Sequence, residues 1–484
     1  MTASSEYEKI VTALKQRKKG ATVADICANT ALPLATVKEL LPKAADEYSG
    51  HLRVTQSGEI LYYFPKGFKS RYRGFGAFIK KVFSKTASFT KKALALLFKI
   101  WIMVMLIGYF VFFILLTLAV FFLSIAARNN NDDRGGGFGG LRIFDFLIRL
   151  WFIGELNRPL DDYNYRPKKK KDKRPLHKGV FSFIFGDEDP NKNWNEQQSR
   201  AVIYYLQSNA GCISLAEYMS FTGENSLDAE KSLLSFCSKY GGSPEVTEEG
   251  TIVYRFDDLL LKSQNENLYA PSKLSPPIQR LKVFSENSKK MNVWLIIINS
   301  VNLLFGSYFL YQSFNAGQLI TELQYQAASY FYAIVHSLLN LIMTTPHIFI
   351  GIVLGLIPFL FSMFFWLIPS IRFFLEKKEN ENIKLTNFKR FSFHKIWNKP
   401  SGIKTESFKI NTEECCPKDL DEAGDRVIKE MGVVFNPEIE VNEEGIAVYS
   451  FNEIKKEKEA LEKYRSNINL VQKQIGEIIF DSNE

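Results

Sequence analysis

The sequence predicts an α+β membrane protein in which small soluble bodies, each three helices and a β-hairpin, alternate with transmembrane helices. Three observations carry this expectation. The pattern VxxxGxxxYxF occurs three times, as Val54, Gly58, Tyr62 and Phe64, as Val246, Gly250, Tyr254 and Phe256, and as Val441, Gly445, Tyr449 and Phe451. Helical periodicity precedes the first two copies. Uncharged apolar runs lie between the copies, one over residues 100–127 and a larger one within 291–371.

The pattern itself reads as a hairpin. Apolar residues at alternate positions flank a short polar turn, and Gly accepts the positive φ that a tight turn needs. Ahead of the first copy stand EYEKIVTALKQRKKG, TVADICANT and LPLATVKELLPKAADEY. Three short helices followed by a hairpin is the winged-helix arrangement, so residues 1–65 are read as module one. NEQQSRAVIYYLQSNAG, SLAEYMSFTG and SLDAEKSLLSFCSKYGG repeat the order, giving module two over 176–262. Residues 384–452 form a degenerate module three, with PKDLDEAGDRVIKEMGVV as its one clear helix behind an irregular basic stretch. Residues 453–484 read as a charged terminal helix that packs on a module or a partner.

Residues 100–127 exceed the roughly 20 apolar residues a bilayer core requires. They read as a transmembrane or re-entrant helix, and in the re-entrant reading Lys99 is the boundary and Gly108 the break. In the second region only His336 and His347 interrupt the uncharged stretch from Leu323 to Ile371. Breaks at FNAGQ and TTPH divide the region into segments near 292–313, 326–343 and 347–371, giving two or three transmembrane helices. Residues 66–99, a basic linker or amphipathic segment, hold ten Lys or Arg and no acid. Arg280, Lys282, Lys289 and Lys290 precede the second region, and Arg372, Lys377, Lys378 and Lys384 follow it. Basic flanks are retained in the cytoplasm, so the modules are expected there. A single crossing at 100–127 would put module two on the other side, whereas an even number of crossings or a re-entrant hairpin would not.

Residues 128–175 combine a Gly-rich hinge, an interfacial helix over LRIFDFLIRLWFIG at 141–154 and a basic run. Lys168, Lys169, Lys170 and Lys171 of that run, with Lys80, Lys81, Lys91 and Lys92, are candidate contacts for lipid headgroups. Each such residue near an anionic surface is worth about 1 kcal/mol. The five cysteines are odd in number and follow no framework spacing, as on a reducing side. The first helix starts by about residue 6, leaving no signal or transit segment in this reading, and the expected location is a bacterial plasma membrane.

Composition weakens a nucleic-acid role. Residues 1–65 carry a net charge of +1, residues 176–260 carry −7 and residues 411–451 carry −8, so two of three modules repel phosphate. Phosphate-loop, nucleophile-elbow, zinc-helix and CxxC motifs are absent from the sequence, and neither catalysis nor a cofactor or metal is expected. The acidic group Asp187, Glu188 and Asp189 reads as a turn and helix cap. His336 reads as a structural residue. The favoured role is an integral membrane scaffold that presents docking modules to a protein partner or a second copy, with lipid as the other partner. Candidate docking residues are Lys38, Lys43, Gln56 and Glu59 in module one, and Glu245, Glu248 and Glu249 in module two, whose acidic wing would meet a basic partner or the chain's own linkers. The alternatives are a membrane-tethered regulator that binds DNA through module one, and a transporter or assembly factor built on residues 291–371, where Asn299, Asn302, His336 and Asn340 are the polar candidates.

The segment GVFSFIFGDEDPN, the Gly-rich hinge and the repeated wings together resemble a family of multi-pass membrane proteins of cyanobacteria and plastids whose function is unestablished. Plant members are sometimes labelled as related to iron–sulfur cluster biosynthesis, which implies cysteine ligands. Cys27, Cys212 and Cys237 lie on separate helical elements, and Cys415 and Cys416 are adjacent, so no ligand spacing supports carrying that activity over.

Overall fold

The computed structural model describes residues 3–17, 20–65, 67–68, 75–128, 174–261, 276–319, 330–408, 412–443, 445–468 and 478–482. It divides into two compact units. Met1–Lys81, Asp189–Lys282 and Lys378–Glu484 form the first, and Val82–Glu188 and Val283–Lys377 form the second. Hinge residues 129–140, the expected interfacial helix at 141–154 and Lys168, Lys169, Lys170 and Lys171 lie outside the described residues. So do the side chains of Lys80, Lys81, Lys91 and Lys92.

The amino-terminal body of the first unit consists of α1 (Ala3–Gln16), α2 (Val23–Thr30), α3 (Leu34–Glu47), β1 (His51–Thr55) and β2 (Ile60–Tyr63). Its helices stand where the apolar periodicity places them, with Ile10, Leu14, Ile26, Val37 and Leu41 buried. Thr22 and Asp25 form a reciprocal capping box at the start of α2, satisfying N–H groups that a helix start leaves without partners. The other carboxylate oxygen of Asp25 lies 2.8 Å from buried Arg17.

Helices α4 (Phe75–Arg128) and α5 (Leu176–Phe185) come next in the chain. The second body then follows, as α6 (Trp194–Ser208), β3 (Cys212–Ile213), α7 (Leu215–Thr222), α8 (Ser226–Tyr240), β4 (Ser243–Val246) and β5 (Ile252–Arg255). Ser214 and Asn225 cap α7 and α8, and left-handed Gly223 and Gly241 end them, as the αL termination of helices requires.

The apolar region contributes α9 (Lys289–Leu319), α10 (Tyr330–Asn340) and α11 (Pro346–Asn398). The third body follows with α12 (Leu420–Phe435), β6 (Glu438–Val441), β7 (Ala447–Ser450), α13 (Asn452–Asn467) and β8 (Ile478–Asp481). Two expectations need correction here. The basic stretch after residue 384 is not irregular but helical to Asn398. No Gly or Pro stands between Pro369 and Pro400 to stop it, and Phe388, Phe393, Ile396 and Trp397 are buried among the lysines. Within the terminal stretch 453–484 the helix ends at Asn467, and residues Ile478–Asp481 form a strand. Ile478, Ile479 and Phe480 are β-branched or aromatic, residues that favour a pleated surface.

The three hairpins close through the same turn. Gly58, Gly250 and Gly445 have φ of 80°, 81° and 76°, with open space around each Cβ position. Each glycine N–H donates to the carbonyl three residues back, on Thr55, Thr247 and Asn442. The motif tyrosines also occupy equivalent places. Tyr62 bridges Ala21, Tyr254 pairs with Ile213, and Tyr449 bridges Ile403. Each body thereby ties its hairpin to a residue preceding a shorter helix, and Tyr62 and Tyr254 are buried by the arrangement.

One apolar core joins the three bodies, from Ile10 through Val202 and Phe388 to Phe451 and Leu461. Asparagine side chains fix the segment around residues 279–282. Asn387 accepts from the Gln279 N–H and donates to its carbonyl, Asn191 does the same for Arg280, and Asn380 for Lys282, at 2.7–3.0 Å. Each amide supplies what a neighbouring strand would, satisfying backbone groups that would otherwise be left bare. Buried Arg390 donates to the carbonyls of Phe221 and Thr222 and stacks on Trp194.

The second unit contains the apolar helices. Three stretches are long and apolar enough to cross a membrane, Ala93–Leu123, Lys289–Asn315 and Pro346–Asn398. Helix α4 runs through Gly108 without a break, as the single-span alternative has it and the re-entrant one does not. Of the expected middle segment at 326–343, residues 326–329 lie outside the described residues, and the described part carries α10.

Helices α9 and α11 touch through glycines. A Cβ on Gly306 would come 2.8 Å from the Phe359 nitrogen, and one on Gly355 would come 2.8 Å from the Leu310 nitrogen. Gly351 and Gly355 make a small-xxx-small pair, which lets membrane helices approach closely. Asn302 ties α9 to the Leu106 carbonyl of α4 at 2.7 Å, and Asn299 ties it to the Ser362 carbonyl of α11 at 3.2 Å.

Candidate docking surfaces

The acidic hairpin of the second body is occupied from within the chain. The charged helix α13 lies against this body and presents Lys463, Tyr464 and Arg465 in succession. Lys463 pairs with Glu248 at 3.1 Å and with Glu249 at 2.6 Å. The Tyr464 hydroxyl donates to Glu245, which also faces Arg255. Sequence reasoning singled out all three carboxylates, and the structure sets them against one helix, α13.

Beneath these surface pairs lies a buried one. Arg465 donates to both oxygens of Glu217, at 3.1 and 2.7 Å, and to the Cys212 carbonyl at 2.7 Å. Tyr205 donates to the same carboxylate. Burial alone would lower the Arg465 pKa, but Glu217 and Tyr205 hold it above the ordinary guanidinium value. A planar guanidinium that meets both oxygens is what a buried carboxylate needs. Neither residue was recognised from sequence: Glu217 occupies a capping-box position after Ser214, and the available signal was that Arg465 is the lone Arg on a lysine-rich helix.

The candidates of the first body divide. Lys38 pairs with Asp258 of the second body at 2.8 Å. Glu59 joins this group: its pKa is raised first by burial and then by Asp258, with Lys38 opposing. Lys43 instead pairs along its own helix with Glu39, and Gln56 is exposed at the hairpin tip. Lys38 thus helps join two bodies, while Lys43 and Gln56 face solvent.

The first body also holds a strand that sequence reasoning did not foresee. Strand β8 adds to β1 on the edge away from β2, giving the order β2-β1-β8. Both oxygens of Asp481 are bound, by Arg53 Nε at 2.7 Å and by the Tyr63 hydroxyl at 2.6 Å.

The acidic group at 187–189 is structural in its contacts. Arg174 pairs with Asp187 at 2.5 Å, Ser182 donates to it at 2.6 Å and the Glu286 N–H donates to it at 2.8 Å. Burial would raise the Asp187 pKa, but these bonds together hold it below the usual carboxylate value. Asp189 pairs with Lys282 at 3.1 Å. Among the described residues no group of three or more His, Cys, Asp or Glu is placed to hold a metal. Burial pushes the thiols of Cys27 and Cys212 up to about 12 and that of Cys237 up to about 11.

No family model matches the chain, and no solved structure matches it. It is 25% identical over 419 residues to an uncharacterised chloroplastic protein of Arabidopsis thaliana, an alignment covering 82% of this chain and 75% of that protein.

Proposed function

We propose that the protein is a non-enzymatic membrane scaffold that displays three winged-helix-like modules on one membrane face as docking surfaces. The observation that supports this reading is the common core. Ile10, Val202 and Phe451 belong to one apolar cluster, so the three bodies share a side of the bilayer. The chain then returns to that side after each of its two apolar regions. Basic flanks favour the cytoplasm for that side, and a bacterial plasma membrane is the setting in this reading.

The exposed part of the first body, Lys43 and Gln56, is the surface proposed for a protein partner. Paired acids on the second body and the net charges of the second and third argue against phosphate as the ligand. Sidedness is tested in the full chain, carrying Cys416→Ser, by placing single cysteines at Gln56, Glu248 and Glu440. A membrane-impermeant maleimide should label all three from the same side, and labelling from opposite sides ends the reading. A photo-crosslinker at Gln56 should give a discrete protein adduct in native membranes that Lys43→Glu abolishes. Salt-sensitive retention of duplex DNA by the full chain would favour the regulator instead.

A further inference from the structure

The β1 edge of the first body is filled by the chain itself, and the way it is filled describes a ligand. Arg53 stands opposite Asp481, Val54 opposite Phe480 and Thr55 opposite Ile478, with a register shift between Val54 and Thr55. The Leu52 N–H donates to the Ser482 hydroxyl at 2.8 Å, and the Ser482 N–H donates to the Leu52 carbonyl at 2.9 Å. The Asp481 carboxylate is clamped between Arg53 and Tyr63, and the Arg53 guanidinium stacks 4.0 Å from the Tyr63 ring centroid.

The apolar side chains of this strand add little to its hold. Ile478, Ile479 and Phe480 are 48%, 65% and 57% exposed. Attachment therefore rests on a backbone ladder and one carboxylate clamp, the combination by which domains capture an extended peptide on a sheet edge. Backbone pairing supplies sequence-independent binding, and the clamp supplies the choice of residue.

We propose that the β1 edge is a peptide-docking edge with Ile478–Ser482 as its built-in occupant. It fits a partner segment in extended conformation that carries an aspartate opposite Arg53, an apolar or aromatic residue before it and a small hydroxyl residue after it. Occupation in cis makes the edge self-inhibited, since a tethered ligand acts at an effective concentration on the order of millimolar. The inference stands on this edge alone and goes beyond the scaffold reading, so peptide binding and membrane sidedness fail independently.

The test uses a labelled nonapeptide with the sequence of residues 476–484 and the full chain in mild detergent, read by fluorescence anisotropy. Asp481→Ala in the full chain should free the edge and tighten peptide binding at least tenfold over the unsubstituted chain. Adding Arg53→Ala should abolish the gain, and a peptide with Ala at its aspartate should lose at least tenfold. A chain ending at Asn467 should show the same gain. The proposal is overturned if Asp481→Ala brings no gain, or if the alanine peptide binds equally well. An unchanged melting temperature of the Asp481→Ala chain keeps the result interpretable even where the shortened chain fails to fold.

Discussion

Helix α13 and strand β8 come from the same carboxy-terminal stretch, and both dock on bodies of the first unit by different means. The helix buries Ile454, Ala460 and Leu461 and inserts Arg465 against an enclosed carboxylate. The strand leaves its three apolar side chains half in solvent and relies on main-chain pairing with one ionic clamp. Burial with satisfied charge makes an attachment that is costly to undo, whereas a ladder with exposed side chains makes one that competes with any equivalent strand. One terminus thus holds a permanent joint and an exchangeable one.

Substitutions should separate the two joints by size. Arg465→Ala should have the largest effect, about 3–5 kcal/mol by chemical denaturation, because it strands Glu217 without its countercharge. Leu461→Ala comes next at about 2–4 kcal/mol, from lost burial and the cavity left behind. Either effect falling below that of a strand substitution would break the comparison.

Glu457 sharpens the helix side through pH. Burial raises its pKa despite acceptor bonds from Ser214 and the Ala216 N–H. A carboxyl raised in the folded state contributes stability that is full below its unfolded value and lost as pH rises through its folded value. Glu457→Gln should therefore flatten that decline and leave the chain more stable at neutral pH, as melting temperature across a pH series would show. Arg53→Ala should be smallest, within about 1 kcal/mol, since the pair it breaks is partly solvated, yet it should expose the residues after Asn467 to limited proteolysis.

Local features of the fold were legible in the sequence, and its joints were not. The hairpin turns could be read because Gly58, Gly250 and Gly445 satisfy a backbone need contained in five residues. Helices α1–α3 and α6–α8 could be read because caps and periodicity are local as well. The helical stretch to Asn398 was concealed by lysines that alternate with its buried stripe. Strand β8 was missed because Ile478–Asp481 becomes a strand only beside β1, more than 400 residues away in sequence. The docking acids Glu245, Glu248 and Glu249 were visible as charge, but Glu217 was not, since its partner Arg465 is set by packing. The close approach of α9 and α11 was written in Gly351 and Gly355, a spacing that stood in the sequence and went unread.

The common core sets a schedule for biosynthesis. Ile10 and Leu461 belong to the same cluster, so the amino-terminal body leaves the ribosome long before its last partners exist. At about 5–20 residues per second, the interval is on the order of 20–90 s, during which the apolar helices must also enter lipid. The first body spends that time with part of its interior uncovered, and its β1 edge is the last element to be paired.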